Sequence, residues 1–141
     1  MSIVKIDINS LNTKNKIDNL VNILVVDDDI KNIFVLDGIL QDYSANVFSA
    51  YNGEEAIQLL KQNNSIDVIL MDIMMPVMDG FEAIKIIRET NGISHIPIIA
   101  VTAKTLKEDK DKCLALGAND YISKPINMKS LINIIKVWSE K

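Results

Sequence analysis

The chain has 141 residues, 48% hydrophobic and 24% charged, with a net charge of −4 at neutral pH. That is the size of one ordinary domain with enough apolar residues to fill a core, and its acidic balance argues against a broad basic surface for nucleic acid or anionic membrane. One cysteine, Cys113, excludes an internal disulfide, and no apolar stretch approaches the length of a membrane span, so a cytoplasmic location is the expectation.

Residues 1–21 are rich in Asn, Lys and Ser and read as an N-terminal tail without the basic start and apolar core of a secretion signal. Within the tail Val4, Ile6 and Ile8 alternate with Lys5 and Asp7, as in a short extra strand. Residues 22–141 then alternate between two periodicities. Ile23–Val26 is a short apolar run of the kind found in strands buried on both faces, and it ends in Asp27-Asp28-Asp29. Ile30, Ile33, Phe34 and Ile39-Leu40 follow at helical spacing. Ala45–Ala50 reads as a second strand, Asn52-Gly53 as a break, and Ala56 with Leu59-Leu60 as a helix. Asp67–Met71 reads as a third strand, closed by Asp72, and Ala83-Ile84 with Ile87 as its helix. After Asn91-Gly92, Ile96–Val101 runs into Thr102, and Leu106 with Cys113-Leu114 marks a fourth helix. Gly117 precedes the strand Asp120–Ile122, Lys124-Pro125 ends it, and Met128, Leu131-Ile132, Ile135 and Trp138 form the last helix. Strict strand–helix alternation predicts a single α/β domain: a parallel sheet with right-handed crossovers and helices on both faces.

In such a sheet the acids after the first and third strands meet at the carboxyl edge, where open α/β sheets place their chemistry. Crowded carboxylates repel, so they call for a cation or a raised pKa, and a hard divalent ion held by oxygens, Mg²⁺, fits best. Each residue also has a plain structural reading. One of the three aspartates would suffice to cap the following helix. Asp72 could be a polar strand end before a proline turn or a carboxylate nucleophile that forms an aspartyl-phosphate. Thr102 could be an edge residue or a hydroxyl donor to a phosphoryl oxygen. Lys124 alone would be an ordinary surface lysine, but beside the acids it could neutralise a transferred phosphoryl group.

Taken together, Val26-Asp27-Asp28, Asp72 with Met75-Pro76 and Asp79-Gly80, Val101-Thr102-Ala103, and Lys124-Pro125 resemble the receiver domain of two-component response regulators over about Ile23 to Trp138. The resemblance implies a flavodoxin-like doubly wound (βα)5 sheet with strand order 2-1-3-4-5. It also implies Asp72 as phosphoacceptor and Asp28 as a direct Mg²⁺ ligand. Asp27 would reach the ion through water, and the Met74 backbone carbonyl would be a further ligand. Lys124 would pair with the phosphoryl group ahead of a cis bond to Pro125. Thr102 would be the switch hydroxyl and Tyr121 the switch aromatic, while Asp29 has no essential role. The implied partners are a histidine kinase or phosphotransfer protein as donor. A downstream protein target would meet the face of the fourth helix, fifth strand and fifth helix. Asp28-Asp29-Ile30-Lys31-Asn32-Ile33-Phe34 and the segment Lys107 to Cys113 are similar to receivers of hybrid kinases and phosphorelays. The expected role is a stand-alone switch that phosphorylates and dephosphorylates itself without turning over an external substrate.

Three other functions share parts of this pattern. Asp27-Asp28-Asp29 offers the Asp-x-Asp of a haloacid-dehalogenase-type phosphatase, but Lys31 stands where that motif wants Thr or Val, and no cap domain is present. A degenerate receiver acting as a scaffold would be expected to lack part of the site, which is complete here. An FMN carrier of the same fold would want a Ser-, Thr- and Gly-rich loop after the first strand. Met74 and Lys104, two positions after Asp72 and Thr102, are expected to slow water's access to the phosphoryl group. His95 reads as a surface residue, Cys113 and Trp138 as packed helix residues, and Ile134 and Val137 as half-exposed.

Overall fold

A computed structural model describes residues 21–63, 65–75, 78–103 and 107–140. The expected tail up to residue 20, with its Val4–Ile8 alternation, lies outside the described residues, as do Pro76, Lys104 and Leu106. Five strands alternate with five helices: β1 (Val21–Val26), α1 (Ile30–Asp42), β2 (Ala45–Ala50), α2 (Gly53–Gln62), β3 (Val68–Asp72), α3 (Gly80–Glu89), β4 (Ile98–Thr102), α4 (Lys107–Leu116), β5 (Asp120–Ser123) and α5 (Met128–Ser139). All pairings are parallel and the sheet order is β2-β1-β3-β4-β5, as the alternation and the family resemblance implied.

The period-2 alternation of strands divides the core in two. Leu24, Val26, Ile69, Met71, Ile98 and Ala100 face α2, α3 and α4. Ile23, Val25, Leu70, Ile99 and Val101 face α1 and α5. The three inner strands are therefore apolar on both sides, which explains their unbroken runs of Ile, Val and Leu.

Side chains set the helix starts. Asp29, Asn52, Asp79 and Asn127 are N-caps, each accepting from a backbone N–H in the first turn. Gly80 opens α3 against the end of β3, where a Cβ would run into the Ile73 Cα and the Asp72 carbonyl oxygen. No residue with a Cβ permits that approach without a shift of this backbone.

β2 runs from Ala45 to Ala50 as expected, and the other strands depart from the expected bounds by a residue or two. Asp72 and Thr102 are the last residues of their strands, because the ladder continues through Asp72 opposite Val101 and Thr102 opposite Ser123. β4 begins after Pro97, which has no N–H to give to the ladder.

The helical stripes differ more. Ile30 and Phe34 were expected on the inward face of α1 but are 66% and 78% exposed, and the buried residues are Ile33, Leu36 and Leu40. Phe34 sits one residue, about 100°, round the helix from Ile33, far enough to turn it to solvent. Leu114 is likewise exposed beside Cys113, which alone among the described residues of α4 is buried.

Candidate functional site

Sheet order and register bring the chemistry together. Val26 lies opposite Met71 across β1 and β3, so the next residues, Asp27 and Asp72, end neighbouring strands. Thr102 ends β4 beside them, and Lys124 follows β5, its N–H donating to the Thr102 carbonyl at 2.7 Å. The Lys124–Pro125 bond is cis, as the resemblance implied.

One carboxylate oxygen from each of Asp27, Asp28 and Asp72 lies within 4.8 Å of the others. Asp27 and Asp72 are buried, 4% and 3% exposed, whereas Asp28 is open to solvent. The Asp72 Oδ1 accepts from the Met74 N–H at 2.9 Å, and its Oδ2 faces the Lys124 Nζ at 3.4 Å. The Asp27 Oδ1 accepts from the Asp29 N–H at 2.9 Å. Its Oδ2 accepts from the Asn32 Nδ2 at 3.3 Å and faces the Lys124 Nζ at 3.8 Å.

Burial pushes the Asp72 carboxyl up from 3.8 to about 6, and the neighbouring Asp27 charge adds to the rise. The Met74 N–H and the Lys124 ammonium pull the other way without offsetting it. Three carboxylates meet one ammonium, so the cluster holds excess negative charge behind an open edge. This donor set, all oxygen and anionic, fits a hard divalent cation.

The Thr102 hydroxyl is fully buried and has no hydrogen-bond partner among the described residues. An unmatched buried hydroxyl costs about 1–3 kcal/mol, so Thr102 stands ready to donate to an oxygen that arrives in the cleft. Tyr121, across from Ala100 on β5, is half-buried beneath the Lys110 ammonium of α4, 4.6 Å from its ring centroid. Met74 is 63% exposed. Asp29 caps α1 through the Lys31 N–H, whereas the ion pairs of Lys124 are with Asp27 and Asp72.

Three features escaped the sequence reading. Asn32, one turn into α1, steadies the Asp27 carboxylate; its position five residues after Asp27 was the available signal. A cavity of about 290 Å³ opens beside Lys124 between α1 and the segment after β5, with Leu36, Ile39, Val101 and Ile126 in its walls. Lys110 over Tyr121 had no sequence signal.

Residues 23–136 match the family described as response regulator receiver domain. The chain belongs to that family. It is similar to hybrid signal transduction histidine kinase M of Dictyostelium discoideum, 39% identical over 118 residues that make up 81% of this chain and 5% of that protein. The receiver thus spans about a twentieth of that relative. It is also similar to the receiver domain of the sensor histidine kinase PA1611 of Pseudomonas aeruginosa PAO1, solved with a magnesium ion coordinated in its active-site cleft. The two share 34% identity at a TM-score of 0.78, covering 86% of this chain and 98% of that one. The receiver domain of Ssk1 of Saccharomyces cerevisiae, solved with the histidine phosphotransfer protein Ypd1, shares 32% identity at a TM-score of 0.77, covering 85% and 89%.

Family membership removes the phosphatase alternative and gives the receiver its role in phosphorelay signalling. The helices of the described residues include none long and apolar enough to cross a membrane.

Proposed function

We propose that this receiver accepts a phosphoryl group on Asp72 from a phosphohistidine of a histidine kinase or phosphotransfer protein. The observation that carries the proposal is the meeting of Asp72 with Asp27, Asp28 and Lys124 at one sheet edge. An Asp72 carboxylate oxygen attacks phosphorus in line. The new O–P bond forms as the P–N bond to the donor imidazole breaks, and the imidazole leaves with the bonding pair. Asp27, Asp28, Asp72 and the Met74 carbonyl are the residues that would hold Mg²⁺, which when bound would supply positive charge to offset the repulsion between the carboxylate nucleophile and the anionic phosphoryl group. Lys124 pairs with one phosphoryl oxygen and Thr102 donates to another, which gives its buried hydroxyl a partner.

The product adds nearly two negative charges at one point. Thr102 drawn toward them leaves space that Tyr121 enters, favouring one of two conformations of the face made by α4, β5 and α5, where a downstream protein target binds. Met74 at the rim slows water's access and lengthens the signal. The donor docks across α1, which exposes Ile30, Phe34 and Val35 and whose Val35 lines the cavity with Asp27, Asp72 and Lys124, and the Ssk1–Ypd1 complex supports a phosphotransfer protein as one such donor. The same reading takes residues 22–141 as the receiver unit, residues 1–21 as a tail, and a cytoplasmic setting, consistent with the free Cys113 thiol.

The test is labelling with radioactive acetyl phosphate and Mg²⁺. The parent takes up at most one phosphate per chain, and Asp72→Asn takes up none. Undiminished labelling of D72N would overturn the assignment of the acceptor.

A further inference from the structure

α4 is held to the rest of the receiver in an unusual way. Its sequence from Lys107 to Lys112 is wholly charged, and Cys113 is its only buried residue. Where other helices lay an apolar stripe on the sheet, α4 sets two lysines over aromatic rings. The Lys110 Nζ stands 4.6 Å from the ring centroid of Tyr121 on β5, and the Lys112 Nζ stands 4.2 Å from that of Phe81 on α3. Both lie inside the roughly 6 Å range over which an ammonium is attracted to a ring face.

The two contacts differ in what they touch. Phe81 sits in the first turn of α3, where it lines a shallow cleft with Asp28 and Met74 and not with Thr102 or Tyr121. Tyr121 lies opposite Ala100, two residues before Thr102 on β4. Residues two apart on a strand share a face, so the Tyr121 ring and the Thr102 hydroxyl sit on the same side of the sheet, beneath α4.

We propose that Lys110 is a latch on Tyr121: its ammonium over the ring holds the tyrosine in the arrangement seen here and opposes the phosphorylated conformation. The proposal rests on the reading of Tyr121 as the switch aromatic. A ring that moves toward Thr102 stays on β5, while Lys110 is carried by α4. The ring therefore leaves the cation behind, and the lost contact is an energetic toll on switching. The Lys110 charge thus biases the equilibrium toward the unphosphorylated state, and any chemistry that neutralises this lysine, acylation included, lifts the bias. Lys112 anchors α4 to α3 in both states and carries no such bias.

Beryllofluoride with Mg²⁺ serves as the phosphoryl stand-in, its binding followed by fluorine NMR. A ligand that binds one of two states reports their balance through its apparent affinity. Lys110→Gln keeps length and removes charge, and it is expected to tighten beryllofluoride binding by about twofold to fivefold, the range of an exposed cation–π contact. Lys110→Arg keeps a cation over the ring and is expected to leave the affinity unchanged. Lys112→Gln is expected to lower the urea midpoint without moving the affinity, which separates a positioning role from a structural one. In a Tyr121→Leu background K110Q is expected to do nothing.

Unchanged affinity in K110Q, with Y121L altered, would overturn the latch and leave the switch reading standing. The same K110Q effect with and without Tyr121 would also overturn it. If Y121L itself leaves the affinity unchanged, the switch reading fails and the latch with it.

Discussion

The Lys124 ammonium lies 3.4 Å from Asp72 Oδ2 and 3.8 Å from Asp27 Oδ2, so one cation is shared between two buried carboxylates that face each other across β1 and β3. The pair is under-neutralised. Lys124 is partly exposed and its charge screened, while both acids are buried. The geometry favours taking up a second positive charge over resting as a closed ion pair.

Stability should therefore depend on pH through Asp72. Its folded carboxyl titrates at about 6 against an ordinary value of 3.8, so the folded state holds this proton more tightly than the unfolded chain does. The stabilisation is complete below about pH 4 and is lost as pH climbs through about 6, an effect on the order of 2–3 kcal/mol. Asp72→Asn removes the titration. In EDTA at neutral pH, urea unfolding should show D72N as more stable than the parent, with the gap closing toward about pH 4. A less stable D72N at neutral pH would contradict this account of the site's strain.

Removing Lys124 should push the Asp72 pKa up further. The ammonium pulls the Asp72 pKa down against burial and Asp27, so Lys124→Met is expected to raise it above about 6. A carboxyl-carbon NMR titration of the metal-free protein would read the midpoint directly. A midpoint that stays put would mean that Lys124 is too well screened to act on the nucleophile.

Asp27, Asp72, Thr102 and Lys124 were legible in the sequence because each follows or ends an apolar strand, and strand–helix alternation forces those ends to one edge. The sheet order came with the family resemblance, whose motifs are the same residues. The surface of α1 was not legible. Ile30, Ile33, Phe34, Val35, Leu36, Ile39 and Leu40 are apolar nearly all round, so spacing alone could not choose between Ile33 and Phe34 as the inward residue. Lys110 on Tyr121 was hidden for another reason: a long side chain reaches across elements, and no local period marks where it lands.

Arg88 makes a further test, of the scaffold behind the site. Its guanidinium donates to the carbonyls of Gly117, Ser94 and Ile96 and to the Asn119 Oδ1 at 2.7–3.0 Å, and that same oxygen accepts from the Ile98 N–H. One side chain thus ties the end of α3 to the starts of β4 and β5. Arg88→Met takes this donor from the part-buried bonds to the Gly117 and Ile96 carbonyls and should cost about 1–3 kcal/mol in urea unfolding. Arg88→Lys should recover little, because an ammonium cannot span the fork. Gly117 is bound to the same clamp: at φ +119° a Cβ would meet the Arg88 Cγ at 2.6 Å. Gly117→Ala should destabilise through both backbone strain and the displaced arginine. A near-neutral R88M would show that water replaces the clamp freely.

Phe34 offers the sharpest separation of chemistry from recognition. Its ring is 78% exposed on α1, with Ile30 and Val35 exposed beside it, and large apolar groups clustered on a surface mark an interaction site. It is not among the residues that line the cavity beside Asp72 and Lys124, so Phe34→Ala should leave stability within about 0.5 kcal/mol and labelling by acetyl phosphate unchanged. Transfer from a phosphorylated histidine phosphotransfer protein needs the two surfaces to meet, and aromatic anchors carry a large share of such contacts. F34A should slow that transfer roughly tenfold or more, with a more severe loss for Phe34→Asp. Equal slowing with both donors would place Phe34 in the chemistry of the cleft, and no slowing with either would move the donor's footprint off α1.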